Sequence, residues 1–313
     1  MQTRRSLGAA DAIRGTWNGS GAVSSEPRVS VVVLTHNRRD QVLETVRRLR
    51  ELPERPALIV VDNASGDGTA DALCARFPGI DVLRSARNLG AAARNLGARR
   101  ARNRWAARYV AFCDDDVHWH AGALRRAADL LDAHPRVAVL CAHVLVGEAA
   151  LPDPTSLQMA QSPLDSDGLP GRAIAGFLAG ASVMRTDAFL QTGGYRPELF
   201  IGGEEELVAL DLLAAGWRLV YAPGVIAHHL PSPLRDAPRR RHLLARNAIW
   251  IACMRYPPRD ALRCAWRQLR EGRQARALWP LLRDTCAGLP WALAQRRVVP
   301  PSVGEQLRRA RAG

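Results

Sequence analysis

The chain has 313 residues, of which 47% are hydrophobic and 24% are charged. This length suits one large domain with an appendage, and the composition excludes a wholly disordered chain. Arg and Lys number 44 against 30 Asp and Glu, a net charge of +14, and the sequence has no lysine. A positive charge made entirely of guanidinium favours anionic partners: nucleic acid, an anionic membrane face or phosphorylated small molecules.

The cysteines and the N-terminus bear on the compartment. The six cysteines are scattered and form no C-x-x-C pair, which argues against a zinc site or a disulfide framework and indicates a reducing compartment. Residues 1–26 contain no apolar stretch of signal-peptide length, and no run approaches the about 18 apolar residues of a membrane span. We therefore expect a cytoplasmic protein, either soluble or peripheral at the inner face of the membrane.

Strand and helix patterns alternate in the first third of the chain. The predicted strands are 29–35, 57–62, 80–84 and 108–113, and the predicted helices are 40–51, 69–77 and 90–103. The run VSVVVLT is β-branched and does not alternate, which is typical of a parallel strand buried on both faces. The alternation predicts a doubly wound α/β sheet that binds its ligand at the carboxyl ends of its strands.

The remaining elements are predicted less regularly. They are a helix at about 119–134, a strand at 136–144, a Pro-, Asp- and Ser-rich loop at 151–172, a strand and short helix within 175–195, a helix from GGEEEL to Gly216, and strands at 218–222 and 225–228. From about residue 238 the pattern is helical and rich in Arg. Pro280 and Pro290 interrupt an apolar stripe there, which predicts two short helices or one kinked helix that packs on the domain or lies at a membrane interface.

The most unusual local feature is Asp114-Asp115-Asp116 at the end of the strand RYVAFC. Three adjacent carboxylates repel one another, so folding alone gains nothing from them. A divalent cation would offset the repulsion, and carboxylate oxygens suit Mg²⁺ or Mn²⁺, which would in turn hold a diphosphate. The alternative is a solvated acidic turn.

Several segments, in this order, decide between these interpretations: VSVVVLTHNR, VVDNASGDGT, RNLGAAARNLGARRA, YVAFCDDDV, the Gly-Gly-Tyr turn, GGEEEL and a His-His pair. Over residues 28–257 the chain resembles the family 2 glycosyltransferases, and among them bacterial rhamnosyltransferase-like members. The resemblance implies a GT-A fold, which is Rossmann-like with a mostly parallel sheet and flanking helices. It divides the chain into a loose leader (1–27), a GT-A domain (28–235) and an Arg- and Trp-rich helical extension (236–313).

The resemblance also implies the residues that bind the nucleotide sugar. These are Thr35, Asn37, Arg38, Asp62, Asn88, Arg94, Asp114 and Asp115. Asp62 would contact the base or ribose, whereas an Asx turn or a helix cap suits Asn63 and Asp67 better. Arg94 would pair with phosphate, although an Arg in so basic a chain is more often on a solvated helix face.

In this family the aspartate cluster holds the metal that bridges the diphosphate. The resemblance makes Asp116 the best-supported ligand, with Asp114 and Asp115 orienting ribose, water or metal. His228 or His229 would add a nitrogen ligand or contact the phosphate, and the sequence does not separate the two. The metal would neutralise the charge that develops on the departing nucleoside diphosphate.

The general base is expected in GGEEEL. Relatives carry a pair of acids at a helix start, and the second acid takes the proton of the acceptor hydroxyl in an inverting transfer. This position corresponds to Glu205, with Glu204 before it and Glu206 as a rival. Acids that only complement the helix dipole are the alternative for at least one of the three.

The resulting prediction is a metal-dependent inverting glycosyltransferase that moves a hexose or deoxyhexose from a nucleoside diphosphate to a glycan, a lipid-linked acceptor or a small molecule. Peripheral contact with an anionic membrane would suit a lipid-linked acceptor. Two other functions fit parts of the sequence: a nucleotidyltransferase of similar fold, and a basic nucleic-acid-binding protein. Nucleic acid is not expected as a partner, because the chain has no recognition motif and only 5% aromatic residues for stacking.

Overall fold

The computed structural model describes residues 14–15, 28–231, 237–275 and 277–312. The described strands are β1 (Arg14–Gly15), β2 (Val29–Thr35), β3 (Ala57–Asp62), β4 (Asp81–Arg84), β5 (Tyr109–Asp114), β6 (Val117–Trp119), β7 (Val137–Val146), β8 (Leu151–Pro152), β9 (Arg172–Ile174), β10 (Ala181–Arg185) and β11 (Arg218–His229). The described helices are α1 (Arg39–Arg50), α2 (Thr69–Arg76), α3 (Arg94–Trp105), α4 (Ala123–Ala133), α5 (Pro154–Ala160), α6 (Thr186–Gln191), α7 (Glu204–Ala214), α8 (Ala237–Arg255), α9 (Pro258–Gln274), α10 (Leu278–Ala294) and α11 (Pro301–Ala312).

One sheet organises the domain, in the order β1-β4-β3-β2-β5-β10-β7-β11-β6. Strands β4, β3, β2 and β5 run parallel to one another, and the apolar side chains of β2 are buried on both faces of the sheet. Beyond β5 the sheet is mixed: β10 is antiparallel to β5 and β7, whereas β7 and β11 are parallel. The predicted α/β class is confirmed, and its parallel half is the half that the sequence pattern describes.

Three predicted segments differ from the observed elements. Residues 151–172 are not one loop, because Asp153 caps α5 by accepting hydrogen bonds from the Thr155 and Ser156 amides, with Pro154 in the first turn. The helix predicted at about 119–134 begins later, at Ala123, because Trp119 is the last residue of β6. The two strands predicted at 218–228 are one strand, β11, with an irregularity between Ala222 and Ile226.

The C-terminal helices pack on one another and on the domain. Helix α10 continues through Pro290, and Leu281 of the apolar stripe is buried. Trp250 of α8 donates to the Thr285 carbonyl at 2.9 Å and packs against Trp291. No helix in the described part of the chain is long and apolar enough to cross a bilayer.

The described residues include few of the expected domain limits. Most of the leader 1–27 and the boundary at 235/236 lie outside the described residues. The exception is β1, which pairs antiparallel with β4 at the edge of the sheet, so this part of the leader is a strand.

Candidate functional site

The carboxyl ends of β3, β2 and β5 bring the predicted nucleotide residues to one edge of the sheet. In the observed register Thr35 lies opposite Asp62, and Leu34 lies opposite Asp114. Parallel strands that end together place their following loops side by side. The aspartate turn, which consists of Asp114, Asp115 and Asp116, therefore lies at the same edge of the sheet as the loops after β2 and β3.

Side-chain amides join these loops. Asn37, which has a left-handed φ of 52°, accepts a hydrogen bond from the Gly66 amide at 2.8 Å. Asn63 donates to Asn88 Oδ1 at 2.9 Å and accepts from the Leu89 amide at 2.8 Å. Asn37 and Asn88 thus both bind the loop after β3, Asn37 at Gly66 and Asn88 at Asn63.

Asp62 stabilises a local turn, the role that the sequence suggested for Asn63. The buried Asp62 carboxylate accepts a hydrogen bond from the Ser65 amide at 3.0 Å, the Asx turn expected of Asn63. Asn63 instead links two loops. Asp67 accepts from both the amide and the hydroxyl of Thr69, so it stabilises the start of α2 as expected. One oxygen of Asp62 is therefore committed to the turn.

Arg94 is buried and not on a solvated helix face. Its side chain is 7% exposed and forms an ion pair with Asp114. Gly180 on the neighbouring loop makes room for this carboxylate, because a Cβ at position 180 would lie 2.6 Å from Asp114 Cγ. The pair places a guanidinium, the group that best matches phosphate, beside the first acid of the turn.

Asp115 stabilises the turn through hydrogen bonds from two threonine hydroxyls. Its buried carboxylate accepts from the Thr35 hydroxyl at 2.9 Å, and its carbonyl accepts from the Thr45 hydroxyl at 2.7 Å. Burial raises the pKa of Asp115 to about 7, although the Thr35 hydrogen bond and the nearby Arg38 oppose the rise. Thr35 and Asp115 thus bind each other through Asp115 Oδ2. Arg38 itself donates to Gln41 Oε1 at 2.9 Å.

The structure separates the two histidines. His229 Nε2 lies 3.5 Å from Asp116 Oδ2. His228, the next residue along the strand, points to the other face, where it stacks on His118 with ring centroids 5.0 Å apart and lies 3.2 Å from His120. Successive side chains of a strand alternate between faces. His228 is therefore removed from the candidate ligands, and His229 remains.

The residues around Asp116 fit a divalent cation. A carboxylate and an imidazole at this spacing are two donors of the right kind, and two protein ligands leave positions for diphosphate oxygens. Strand pairing between His229 and Val117 and a hydrogen bond from the Leu230 amide to the Asp116 carbonyl, at 2.8 Å, hold the two donors together. Among the described residues, no three His, Cys, Asp or Glu side chains already surround a metal position.

The three acids at the start of α7 have different surroundings. Glu204 is buried and lies within electrostatic range of Arg94. Glu206 accepts hydrogen bonds from the Tyr256 hydroxyl and, at 3.2 Å, from Arg311, both in the C-terminal helices. Glu205, between them, lines a cavity of about 460 Å³ together with residues of α5 and α11.

Glu205 has the chemistry of a proton acceptor. Burial, followed by the like charge of Glu204, raises the pKa of Glu205 to about 8, whereas Arg94 acts in the opposite direction. A base works best when its pKa lies near the working pH. Among the three acids, Glu205 combines a raised pKa with access to a cavity.

Helix α8 holds the loop that leads into the three acids. The fully buried Asn247 donates to the carbonyls of Leu199, Ile201 and Gly202 at 2.6–3.2 Å. Phe200, Gly202 and Gly203 all have a left-handed φ, so this loop depends on contacts from outside. Sequence reasoning missed both Asn247 and Gly180, because only long-range contacts give them a role.

Comparisons with known proteins agree with this geometry. Residues 30–191 match the model of the family described as glycosyl transferase family 2. The chain is 26% identical over 234 residues to the N-acetylglucosaminyl-diphospho-decaprenol L-rhamnosyltransferase of Mycobacterium tuberculosis. The alignment covers 64% of this chain and 75% of the relative.

Solved structures give the same fold. The mannosyltransferase PcManGT from Pyrobaculum calidifontis, in complex with GDP-Man and Mn²⁺, superposes with a TM-score of 0.56 at 20% identity, covering 95% of this chain and 89% of that one. S. aureus TarS 1-349, in complex with UDP-GlcNAc, gives a TM-score of 0.58 at 16% identity, covering 91% and 87%. The family match spans more than half of the chain. The chain belongs to glycosyl transferase family 2 and is a glycosyltransferase with the GT-A fold.

Proposed function

We propose that this enzyme transfers a hexose or deoxyhexose from a nucleoside diphosphate to an acceptor hydroxyl, with inversion at the anomeric carbon and with Mg²⁺ or Mn²⁺ bound. The observation that carries the proposal is the position of Glu205, accessible from a cavity, at a helix start within electrostatic range of Arg94 and Asp114. A proton acceptor near a diphosphate site is the arrangement that sugar transfer with inversion requires.

Two buried atoms support a ligand at the aspartate turn. Arg94 Nε and Glu204 Oε2 have no hydrogen-bond partner among the described residues. Buried polar groups are nearly always paired, so such atoms mark the place of a water or a ligand. We assign the diphosphate to the Arg94 side of the turn and the nucleoside to the loops that Asn37, Asp62 and Asn88 shape. The similar structures bound to GDP-Man and UDP-GlcNAc support a nucleotide sugar as donor.

Asp116 and His229 would hold the metal, and Asp114 would reach it only by exchanging its contact with Arg94. When bound, the metal supplies positive charge to the departing diphosphate. Arg94 adds to this charge from the protein side. The Mn²⁺ in the complexes of PcManGT and of GalNAc-T7 is consistent with a divalent ion here.

Glu205 would take the proton of the acceptor hydroxyl as its oxygen attacks the anomeric carbon. The bond from that carbon to the diphosphate oxygen breaks in the same step, and the nucleoside diphosphate leaves with the bonding electrons. Glu206 is bound to Tyr256 and Arg311, and Glu204 is buried and does not line the cavity, which favours Glu205 over both as the base. The mycobacterial relative is named for a diphospho-decaprenol acceptor, which supports a lipid-linked acceptor and contact with an anionic membrane.

Titration of nucleotide sugars with and without Mn²⁺ tests the donor and the metal together. We expect Mn²⁺ to tighten binding of the true donor by at least about tenfold in calorimetry, and this gain to disappear in Asp116→Asn and His229→Ala. His228→Ala is the matched control and should keep it. An equal loss in both histidine variants would contradict the ligand assignment.

The stereochemical outcome tests inversion separately. NMR of the product should give an anomeric configuration opposite to that of the donor. Retention would exclude the single displacement whichever acid proves essential.

A further inference from the structure

A large groove lies in the C-terminal helices, beside the Glu205 cavity. It has a volume of about 1070 Å³ and runs between α9, the segment 298–301 and α11. Its apolar lining includes Leu262 and Trp266, which are 70% and 64% exposed. The groove is larger than the about 300–1,000 Å³ of pockets for drug-sized ligands, so it suits a long ligand.

The charges around this groove are unbalanced. Its lining contains five arginines but only two acids, Glu206 and Asp260. Three arginines have carboxylate partners: Arg263 with Asp260, Arg311 with Glu206, and Arg308 with Glu305. Arg267 and Arg270 are in no ion pair with any described residue; Arg267 is hydrogen-bonded to the Cys264 side chain, and Arg270 lies over the Trp266 ring at 5.4 Å. Two guanidinium groups beside an apolar surface match a ligand that has an anionic head and an apolar chain.

The groove and the Glu205 cavity are adjacent. Glu206, Leu307 and Arg311 line both of them. A ligand in the part of the groove that Glu206 and Arg311 line would therefore lie within one side-chain wall of the candidate base. The Glu206–Arg311 pair forms part of that wall, together with the Tyr256 hydroxyl that both side chains contact.

We propose that this groove binds the acceptor as a long-chain lipid with an anionic diphosphate head. Its chain lies along Leu262 and Trp266, its head meets Arg267 and Arg270, and the sugar beyond the head extends into the cavity of Glu205. This assignment rests on the proposed function for the position of the reacting hydroxyl. The fit of chain and head depends on the groove alone.

Farnesyl diphosphate is a suitable probe, because it has the chain and the head but no sugar. Binding to the full-length protein is measured by calorimetry in EDTA, below the concentration at which the lipid aggregates, so that no metal at the aspartate turn holds the diphosphate. We expect Trp266→Ser and Leu262→Ser to weaken binding by about tenfold each. Trp279→Ser, a variant of a Trp that is 79% exposed on α10 outside the groove, should bind as the wild type does.

The head is tested with the double variant Arg267→Gln/Arg270→Gln. It should lose affinity for farnesyl diphosphate by about tenfold or more and keep its affinity for farnesol. Arg283→Gln is the matched control, since Arg283 is exposed on α10 and does not line the groove. Equal affinity of the wild type for farnesol and farnesyl diphosphate would overturn the anionic head.

Other outcomes would assign the groove differently. Binding to anionic vesicles without binding to monomeric lipid would make this face a membrane surface, and a dimer that Trp266→Ser dissociates would make it an interface between two copies. Either result overturns the proposal. Transfer is measured in parallel as the release of nucleoside diphosphate from a panel of nucleotide sugars, with Mn²⁺ present and with N-acetylglucosaminyl-diphospho-decaprenol, the acceptor in the name of the mycobacterial relative, as acceptor. Its absence in the wild type would count against the proposed function, whereas lipid binding without it would leave the groove assignment intact.

Discussion

The aspartate turn and the start of α7 provide the two halves of the site, and they are held by different means. The aspartate turn follows a central strand, and strand pairing, Thr35 and Thr45 fix its backbone. The start of α7 follows a loop with left-handed residues that Asn247 of α8 holds from outside. The family match at 30–191 contains the first half and ends before the second. The half to which we assign the donor thus lies within the family match, whereas the half to which we assign the base lies beyond it and is held by helix α8.

The largest expected effect comes from Glu205→Gln. Loss of a general base typically costs ~10²–10⁴-fold in rate, and donor binding should survive because the donor contacts lie in the other half. Glu206→Gln should be milder, since Glu206 contacts Tyr256 and Arg311 rather than the cavity alone. The measurement is kcat for transfer together with calorimetric donor affinity. If Glu206→Gln is inactive while Glu205→Gln is active, the base is Glu206 and not Glu205.

The same variant has a second, independent readout in stability. The pKa of Glu205 in the folded state is raised above its ordinary value, so the folded state binds the proton more tightly, and stability falls as pH rises through about 8. Glu205→Gln removes this titration. We expect it to melt at a higher temperature than the wild type above that pH, and not below pH about 4.

Asn247→Asp tests whether the base half depends on α8. Aspartate has the same shape and can still accept from Arg246, but it loses the three donated bonds to the loop 199–202. A displacement of Glu205 by about 1 Å would reduce kcat by up to about 10²-fold. Donor affinity should stay unchanged, and stability should fall by about 1–3 kcal/mol.

A purely structural role for Asn247 would give a different pattern. It would lower stability while leaving kcat of the folded fraction at the wild-type value. Arg246→Gln is a useful companion variant: its guanidinium also contacts the Glu198 and Leu199 carbonyls, but it does not reach Gly202.

The donor half has a matched pair of glycines. In Gly180→Ala the new Cβ would crowd the Asp114 carboxylate and displace it from Arg94, so donor affinity should fall by about tenfold. Gly176→Ala adds a methyl group with nothing within 4 Å, and because Gly176 lines the Glu205 cavity rather than the aspartate turn, donor affinity should stay unchanged. Neither glycine has a positive φ, so backbone strain does not confuse the comparison. Equal donor affinity in the two variants would mean that the Arg94–Asp114 contact is not part of the donor site.

The two halves also differ in how far the sequence predicts them. The β-branched runs and the motif order gave the parallel strands and the aspartate turn, because local patterns determine buried strands and their ends. Asp153-Pro154 is a typical start of a helix, but the Pro-, Asp- and Ser-rich composition of 151–172 predicts a loop, so the sequence does not predict α5. The roles of Gly180 and Asn247, and the division between His228 and His229, depend on contacts between distant segments or on the side of a strand. The sequence pattern does not encode these.

The smallest expected effect is a shift of the pH profile in Glu204→Gln. The base must be ionised, so kcat/KM rises with pH through the pKa of Glu205 in the free enzyme. Burial raises this pKa first and the charge of Glu204 second, while Arg94 lowers it and Asp114 raises it. Removing the Glu204 charge should therefore move the rising limb to lower pH. In the wild type about a tenth of Glu205 is ionised at pH 7, because its pKa is about one unit higher, and this fraction should increase in the variant. Glu206→Gln should leave the limb in place. If Glu204→Gln also leaves it unchanged, the limb belongs to another group, and Asp115, whose pKa burial raises to about 7, becomes the first alternative.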